Sequence, residues 1–279
     1  MHNSIKTIIT IIVICLISTS CDSVGNQSDN NEVYQFKTVD FSNCLGVFSV
    51  SPTKKVFFSK GNLQYQASTQ TWRFADNQWN YVGDDLYGNV YVGNEKCDNA
   101  NFSDDYSGWI DLFDWKIIDG SIKPVLNDGL DWRVLTSDEW NYLCAERITE
   151  SGIRFAHANV NGVNGIIILP DNWNAKNYTL HGANIMDYPP GHGFIYNNNI
   201  ISLSDWNYPF ENFGAVFLPA AGARSSGVHQ VDEACEYWTS TKLTSYLVLS
   251  VRVRLFDFQT SASELPNSGL SVRLVSDVQ

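Results

Sequence analysis

Three kinds of side chain in this sequence could do chemistry: thiols, imidazoles and carboxylates. Beyond residue 21 the thiols are Cys44, Cys97, Cys144 and Cys235. Their spacings are long and irregular, with no Cys-x-x-Cys and no nearby pair of histidines, which does not suit a tetrahedral zinc site. Disulfides remain open, because four thiols allow three pairings. Cys144, within Glu139-Trp-Asn-Tyr-Leu-Cys-Ala145, reads instead as a core position of a helix. His157, His181, His192 and His229 lack HExxH or HxH spacing, and neither a Gly-x-Ser-x-Gly elbow nor a phosphate loop occurs. Glu139, Glu211, Asp104 and Asp105 are the candidates for an acid–base carboxylate pair. Loop aspartates, however, more often cap turns. Asp98, Asn99, Asn101, Asp104 and Asp105 carry the oxygens calcium takes, but without an Asp-x-Asp-x-Asp-Gly loop. The pattern therefore assigns no catalytic residue and no metal site, and leaves calcium as a minor possibility.

The arginines suggest recognition. In Ser250-Val-Arg-Val-Arg-Leu-Phe-Asp-Phe258, Val251, Val253 and Leu255 alternate with Arg252, Arg254 and Phe256. In a strand this places the aliphatic chains on one face and the arginines with Phe256 on the other. Arg252, Arg254, Phe256 and the nearby Arg224 are the ligand-binding candidates, since a guanidinium offers directional donors to carboxylates and hydroxyls. The alternative is a solvated strand face with an acidic partner beside it.

The elements that would position these groups are mostly short strands. β-branched and aromatic runs predict strands at 33–39, 46–50, 55–58 and 62–65. Trp72-Arg-Phe74 and Trp79-Asn-Tyr81 continue the pattern. Residues 76–131 hold 12 acids and 3 lysines without a clean period, and are expected to be long loops. Thr136 or Ser137 should cap a helix whose first turn carries Asp138 and Glu139. Strands are expected at 153–158 and 166–169, with turn signals at Asn161-Gly162 and Asn164-Gly165. After a Pro/Gly/Asn-rich loop over 170–200, a second helix should run from 202 to 213, with Ser204 as cap and Pro209 in its first turns. Strands at 215–218, 237–241, 246–258 and 270–275 complete an α+β fold of short antiparallel sheets, two short helices and long loops.

Net charge is −12 over 279 residues. That argues against nucleic acid as a partner and against docking on anionic lipid through a basic patch. The first 20 residues read as a signal peptide: Lys6, an apolar run over 8–17, then Ser18-Thr19-Ser20 before Cys21. The run is too short to span a bilayer. A cysteine directly after small residues implies a bacterial lipoprotein acylated on Cys21, with membrane contact through the lipid. Ser18 departs from the leucine usual in that box. Residues 21–32 hold little apolar surface and should form a lipidated tether. The remainder, 33–279, is expected to be a single domain with its core at 45–277.

Several segments of that domain carry a family resemblance. Asp131-Trp-Arg-Val-Leu-Thr-Ser-Asp-Glu-Trp-Asn-Tyr142 resembles the W-R-L-P-T-x-x-E-W-x-Y segment of the formylglycine-generating-enzyme-like (sulfatase-modifying factor) branch of the C-type-lectin fold. Gly222-Ala-Arg224, Tyr237-Trp-Thr-Ser-Thr241 and Ser271-Val-Arg-Leu-Val275 follow in that group's order. Leu135 stands where the family has proline. Residues 57–65, 71–81, 151–170 and 214–222 are similar to surface lipoproteins of Bacteroidetes and to the major paralogous domain of Fibrobacter succinogenes. The resemblance implies a C-type-lectin-like domain on an outer-membrane lipoprotein exposed at the surface. It also implies core roles for Trp238 and Arg273. Enzymes of the branch hold copper with a cysteine pair near the last strands, and residues 236–279 contain no cysteine. The expectation is a non-catalytic recognition domain for a protein or glycan. A structural or adhesin subunit of a surface assembly is the alternative, and an enzyme is the reading with least behind it.

Overall fold

The computed structural model describes residues 39–82, 107–121, 123–174, 178–187, 196–225, 227–254 and 257–278. The strands expected at 33–39 lie almost wholly outside them, as do Cys21 and the tether. The architecture is mixed α+β, with mostly short antiparallel sheets and two short helices. The chain opens with β1 (Cys44–Ser49), β2 (Lys55–Ser59), β3 (Leu63–Gln66) and β4 (Thr71–Phe74). Trp79-Asn-Tyr81 is turn and loop rather than strand. After loops comes β5 (Trp132–Arg133), then α1 (Ser137–Asn141), which continues as a π-type turn, Tyr142–Glu146. A hairpin of β6 (Phe155–Val160) and β7 (Val163–Ile168) follows. Next are β8 (Ile200–Ile201), α2 (Leu203–Asp205), β9 (Val216–Pro219), β10 (Ala223–Arg224) and β11 (Val228–His229). The last third holds β12 (Cys235–Lys242), β13 (Val248–Val253), β14 (Phe258–Glu264) and β15 (Val275–Asp277).

Local chemistry explains the helix starts. Thr136 accepts from the Glu139 backbone N–H at 3.1 Å, while the Glu139 carboxylate accepts from the Thr136 N–H at 2.9 Å. This reciprocal cap satisfies two donors the helix would otherwise leave open. At α2 the cap is Ser202, not Ser204. Regular helix ends at Asp205, and the π-type turn Trp206–Phe210 that follows contains an extended residue, Tyr208 (φ −147, ψ 119), next to a cis Pro209. A short 3-10 turn, Glu211–Phe213, follows.

Three sheets meet around the main core. β15 lies between β2 and β5 and pairs antiparallel with both, with Val275 opposite Phe58 and Arg133. Residues 275–277 are thus built into the sheet that holds β1 and β2. Ser59 and Leu63 also donate backbone N–H groups to Leu274 and Val272 at 2.9 Å. A second sheet runs in the order β8-β6-β7-β9. Ile166 and Ile168 face the core shared with Phe58, Trp140 and Val251, while Ile167 faces one shared with Trp206 and Phe210. A strand covered on both faces needs an unbroken apolar run, and Ile166-Ile-Ile-Leu169 supplies it.

Of the two Asn-Gly signals, only Asn161-Gly162 turns the chain, with both residues at positive φ (50° and 87°). Asn164-Gly165 lies within β7, where a Cβ on Gly165 would run into Leu218 O and the Phe217 ring. The glycine there serves close packing of β7 on β9. The single strand expected over 246–258 is instead parts of two. β13 and β14 reverse between Val253 and Phe258 and pair antiparallel, and β12 pairs with β13. Of the strand expected over 270–275 only Val275 lies in a strand, β15 (Val275–Asp277), and Leu270 and Ser271 make isolated bridges to Phe113 and Tyr237.

A polar centre ties these parts together. Arg273 is 1% exposed. Its Nη1 donates to Asn62 Oδ1 at 3.3 Å and its Nη2 to Gln78 Oε1 at 2.7 Å. Gln78 also accepts from Phe217 N and donates to Ala215 O and Glu211 Oε1. Asn62 donates to the Tyr237 hydroxyl, which donates in turn to Pro219 O. Burial pulls Arg273 down to about 10, opposed by the nearby Tyr237 hydroxyl.

Candidate functional site

Period-two alternation puts Val251 and Val253 inside and turns Arg252 and Arg254 outward. The outward face is already occupied. Glu236 on β12 lies opposite Arg252 in register and is 1% exposed. Arg254 donates to Glu236 Oε1 through Nη2 at 2.6 Å and Nε at 3.1 Å. Arg252 approaches the same oxygen at 3.5 Å and donates to Glu264 Oε2 on β14 at 2.8 Å. Two arginines and two glutamates balance, and they lock three strands side by side. The side chains of Arg252 and Arg254 are 18% and 37% exposed. Phe256 lies outside the described residues.

Arg224 is not on that face. It belongs to β10, exchanges backbone hydrogen bonds with Gly269 and is 3% exposed. Its charge acts on Asp111, a buried carboxyl that the sequence reading passed over. Asp111 accepts from the Val82 N–H at 2.6 Å. Burial pushes its carboxyl up to about 6, against the pull of that N–H and of Arg224. Asp111 and Asp114 inside Trp-Ile-Asp-Leu-Phe-Asp-Trp are the available signal, since aspartate in an aromatic-rich run must be buried with partners or exposed.

The remaining chemical candidates are dispersed. Cys44, Cys144 and Cys235 are free thiols, not disulfide partners. Burial pushes Cys44 and Cys144 up to about 12 and raises Cys235 as well, so all three hold their protons at neutral pH. Cys97 lies outside the described residues, as do His192 and the calcium candidates Asp98, Asn99, Asn101, Asp104 and Asp105. Burial lowers His157 to about 3, leaving it neutral within β6. Glu139 is committed to Arg133 at 2.7 and 2.9 Å, and Glu211 accepts from Gln78. Trp238 is 1% exposed and donates to Phe113 O at 2.6 Å, as a core residue does. Among the described residues no group of three metal-binding side chains comes together.

A cleft of about 660 Å³ opens between residues 117–120 and 123–131, β5 and the approach to β15. Ile117, Val134, Val272 and Leu274 form apolar walls. Trp132 lines it, half-buried and held at two points. Its Nε1 donates to Asp128 Oδ2 at 2.9 Å, and its ring meets Phe74 edge-on at 5.0 Å. Asp128, 6% exposed, also accepts from Leu130 N and Asn43 Nδ2. Lys123, Asn127, Asp131 and Ser240 form an exposed polar rim. The sequence placed this region among long loops. In the sequence Trp132 stands out only as part of a family segment.

No family model, curated protein or solved structure matches this chain. The resemblance to the formylglycine-generating-enzyme-like branch rests on the order of its motifs.

Proposed function

We propose that this chain is a surface-anchored lipoprotein with a C-type-lectin-like domain that recognises a protein or glycan ligand without catalysis. One observation carries the reading: β15 is locked between β2 and β5, so the terminal segment closes the sheet formed by the start of the domain. Such a frame can carry long connections as a binding surface while its core stays fixed. The buried thiols of Cys144 and Cys235 support it, because burial raises both and disfavours the thiolate a nucleophile needs. Anchoring rests on the short apolar run ending at Cys21.

Screening the full-length protein against glycan and extracellular-protein arrays, with calcium and with chelator, tests recognition. Specific retention that survives the chelator is expected, and copper-dependent oxidation of a cysteine peptide would refute the non-catalytic reading. Cys21→Ala should release the protein from membranes. Continued membrane partitioning with labelling by a palmitate analogue would refute the anchor.

A further inference from the structure

We infer that the cleft beside Trp132 binds a neutral saccharide of one or two rings. The inference rests on the recognition reading and names its ligand class. Several features of the cleft point the same way. A volume of about 660 Å³ lies within the range of small-ligand sites and is too small to seat a folded partner. Trp132 is fixed before any ligand arrives, by Asp128 at its nitrogen and by Phe74 at its ring. An indole so held offers apolar surface without the cost of ordering a free side chain.

Charge narrows the class. The ionisable lining is Lys123 and Arg133 against Asp128 and Asp131, two of each sign. Arg133 is spent on Glu139 and Asp277, and Asp128 on Trp132, Asn43 and Leu130. With Arg133 already neutralised by Glu139 and Asp277, and with only neutral donors on Asp128, the lining leans slightly negative in a chain of net −12 and disfavours an anionic ligand. The apolar walls with an amide (Asn127) and a hydroxyl (Ser240) at the rim instead match a molecule carrying both C–H faces and hydroxyl groups. A sugar ring has both.

The test is saturation-transfer NMR on the full-length protein. The probes are glucose, galactose, mannose, xylose and N-acetylglucosamine, with their β-1,4-linked dimers. At least one should receive saturation. Ser240→Trp, an exposed site at the mouth, should weaken that sugar by about tenfold or more, while the unfolding midpoint stays put. Asn127 sits at φ 50°, so Asn127→Gly keeps the backbone and removes only the amide. It should weaken the same sugar about threefold. If no sugar in the panel binds, the inference is overturned. If a sugar binds equally to Ser240→Trp, the recognition reading survives and this cleft is the wrong place. If a peptide library rather than a sugar is lost on Ser240→Trp, the cleft is a site of another class and the saccharide assignment fails.

Discussion

Arg273 and Arg254 both present a guanidinium in the last third of the chain, yet the structure treats them differently. Arg273 sits in the centre of the molecule and is held by the amide oxygens of Asn62 and Gln78. No carboxylate touches it directly among the described residues. Glu211 bonds to Gln78 and acts on Arg273 through its charge, without contact. Arg254 stands at the border with water and is held by Glu236, a carboxylate buried beneath it. In the first region the charge itself is the buried element and neutral partners surround it. In the second the buried element is the acid, and half-exposed arginines come to it. Removing a member should therefore cost most at the centre, and at the edge it should cost more for the acid than for either arginine.

The largest effect is expected at Arg273. Arg273→Ala strips partners from Asn62 and Gln78 and leaves a cavity, so chemical denaturation should show a loss of about 3–5 kcal/mol or no folded protein. A variant that unfolds like the parent would put Arg273 outside the structural centre. Glu236→Ala comes next, at about 2–3 kcal/mol, because Arg252 and Arg254 lose the oxygen they share. The smallest change is Arg254→Ala, below about 1 kcal/mol, since its side chain is more than a third exposed and water screens its charge. Should Arg254→Ala cost as much as Glu236→Ala, the asymmetry drawn at the edge is wrong.

A second buried carboxyl sharpens the contrast through pH. The Asp111 carboxyl is raised to about 6 in the folded state from an ordinary 3.8, so folding favours its protonated form. Its contribution is complete below about pH 4 and is lost as pH rises through about 6, a swing on the order of 2–3 kcal/mol. Asp171 behaves in the opposite sense. Burial pushes it up, but hydrogen bonds from Ser49 and the Arg147 ion pair hold it below its usual range, so its contribution is lost on acidification. Comparing Asp111→Asn with the parent between pH 4 and 7 isolates the first term. The variant should gain relative stability as pH rises, and a pH-independent difference would contradict the buried, ionisable Asp111.

Much of the frame was legible in the sequence. Thr136 or Ser137 with Asp138 and Glu139 marked the start of α1, Asn161-Gly162 the hairpin turn, and the Val251/Val253 alternation the aliphatic face of β13. Local rules govern each of these, so local residues reveal them. The site was less legible, because its partners come from distant segments. Nothing near Arg252 and Arg254 in sequence shows that Glu236 sits opposite them. Strand register decides that, and it was hidden while 246–258 read as one continuous strand. Asn164-Gly165 misled for a similar reason. A glycine needed for close approach of another strand looks the same as one needed for a turn. The cleft draws its walls from residues 117–134 and 272–274, a juxtaposition created only when β15 docks beside β5.

The most direct test of the account sets the cleft against the arginine edge in a single binding measurement. A saccharide retained by the full-length protein is titrated into the parent, Ser240→Trp and Arg254→Ala, with calcium and with chelator. The account predicts loss of affinity by about tenfold or more for Ser240→Trp, a change within about 0.5 kcal/mol for Arg254→Ala, and no effect of the chelator. Affinity that falls with Arg254→Ala and persists in Ser240→Trp would place recognition on the strand face and contradict it.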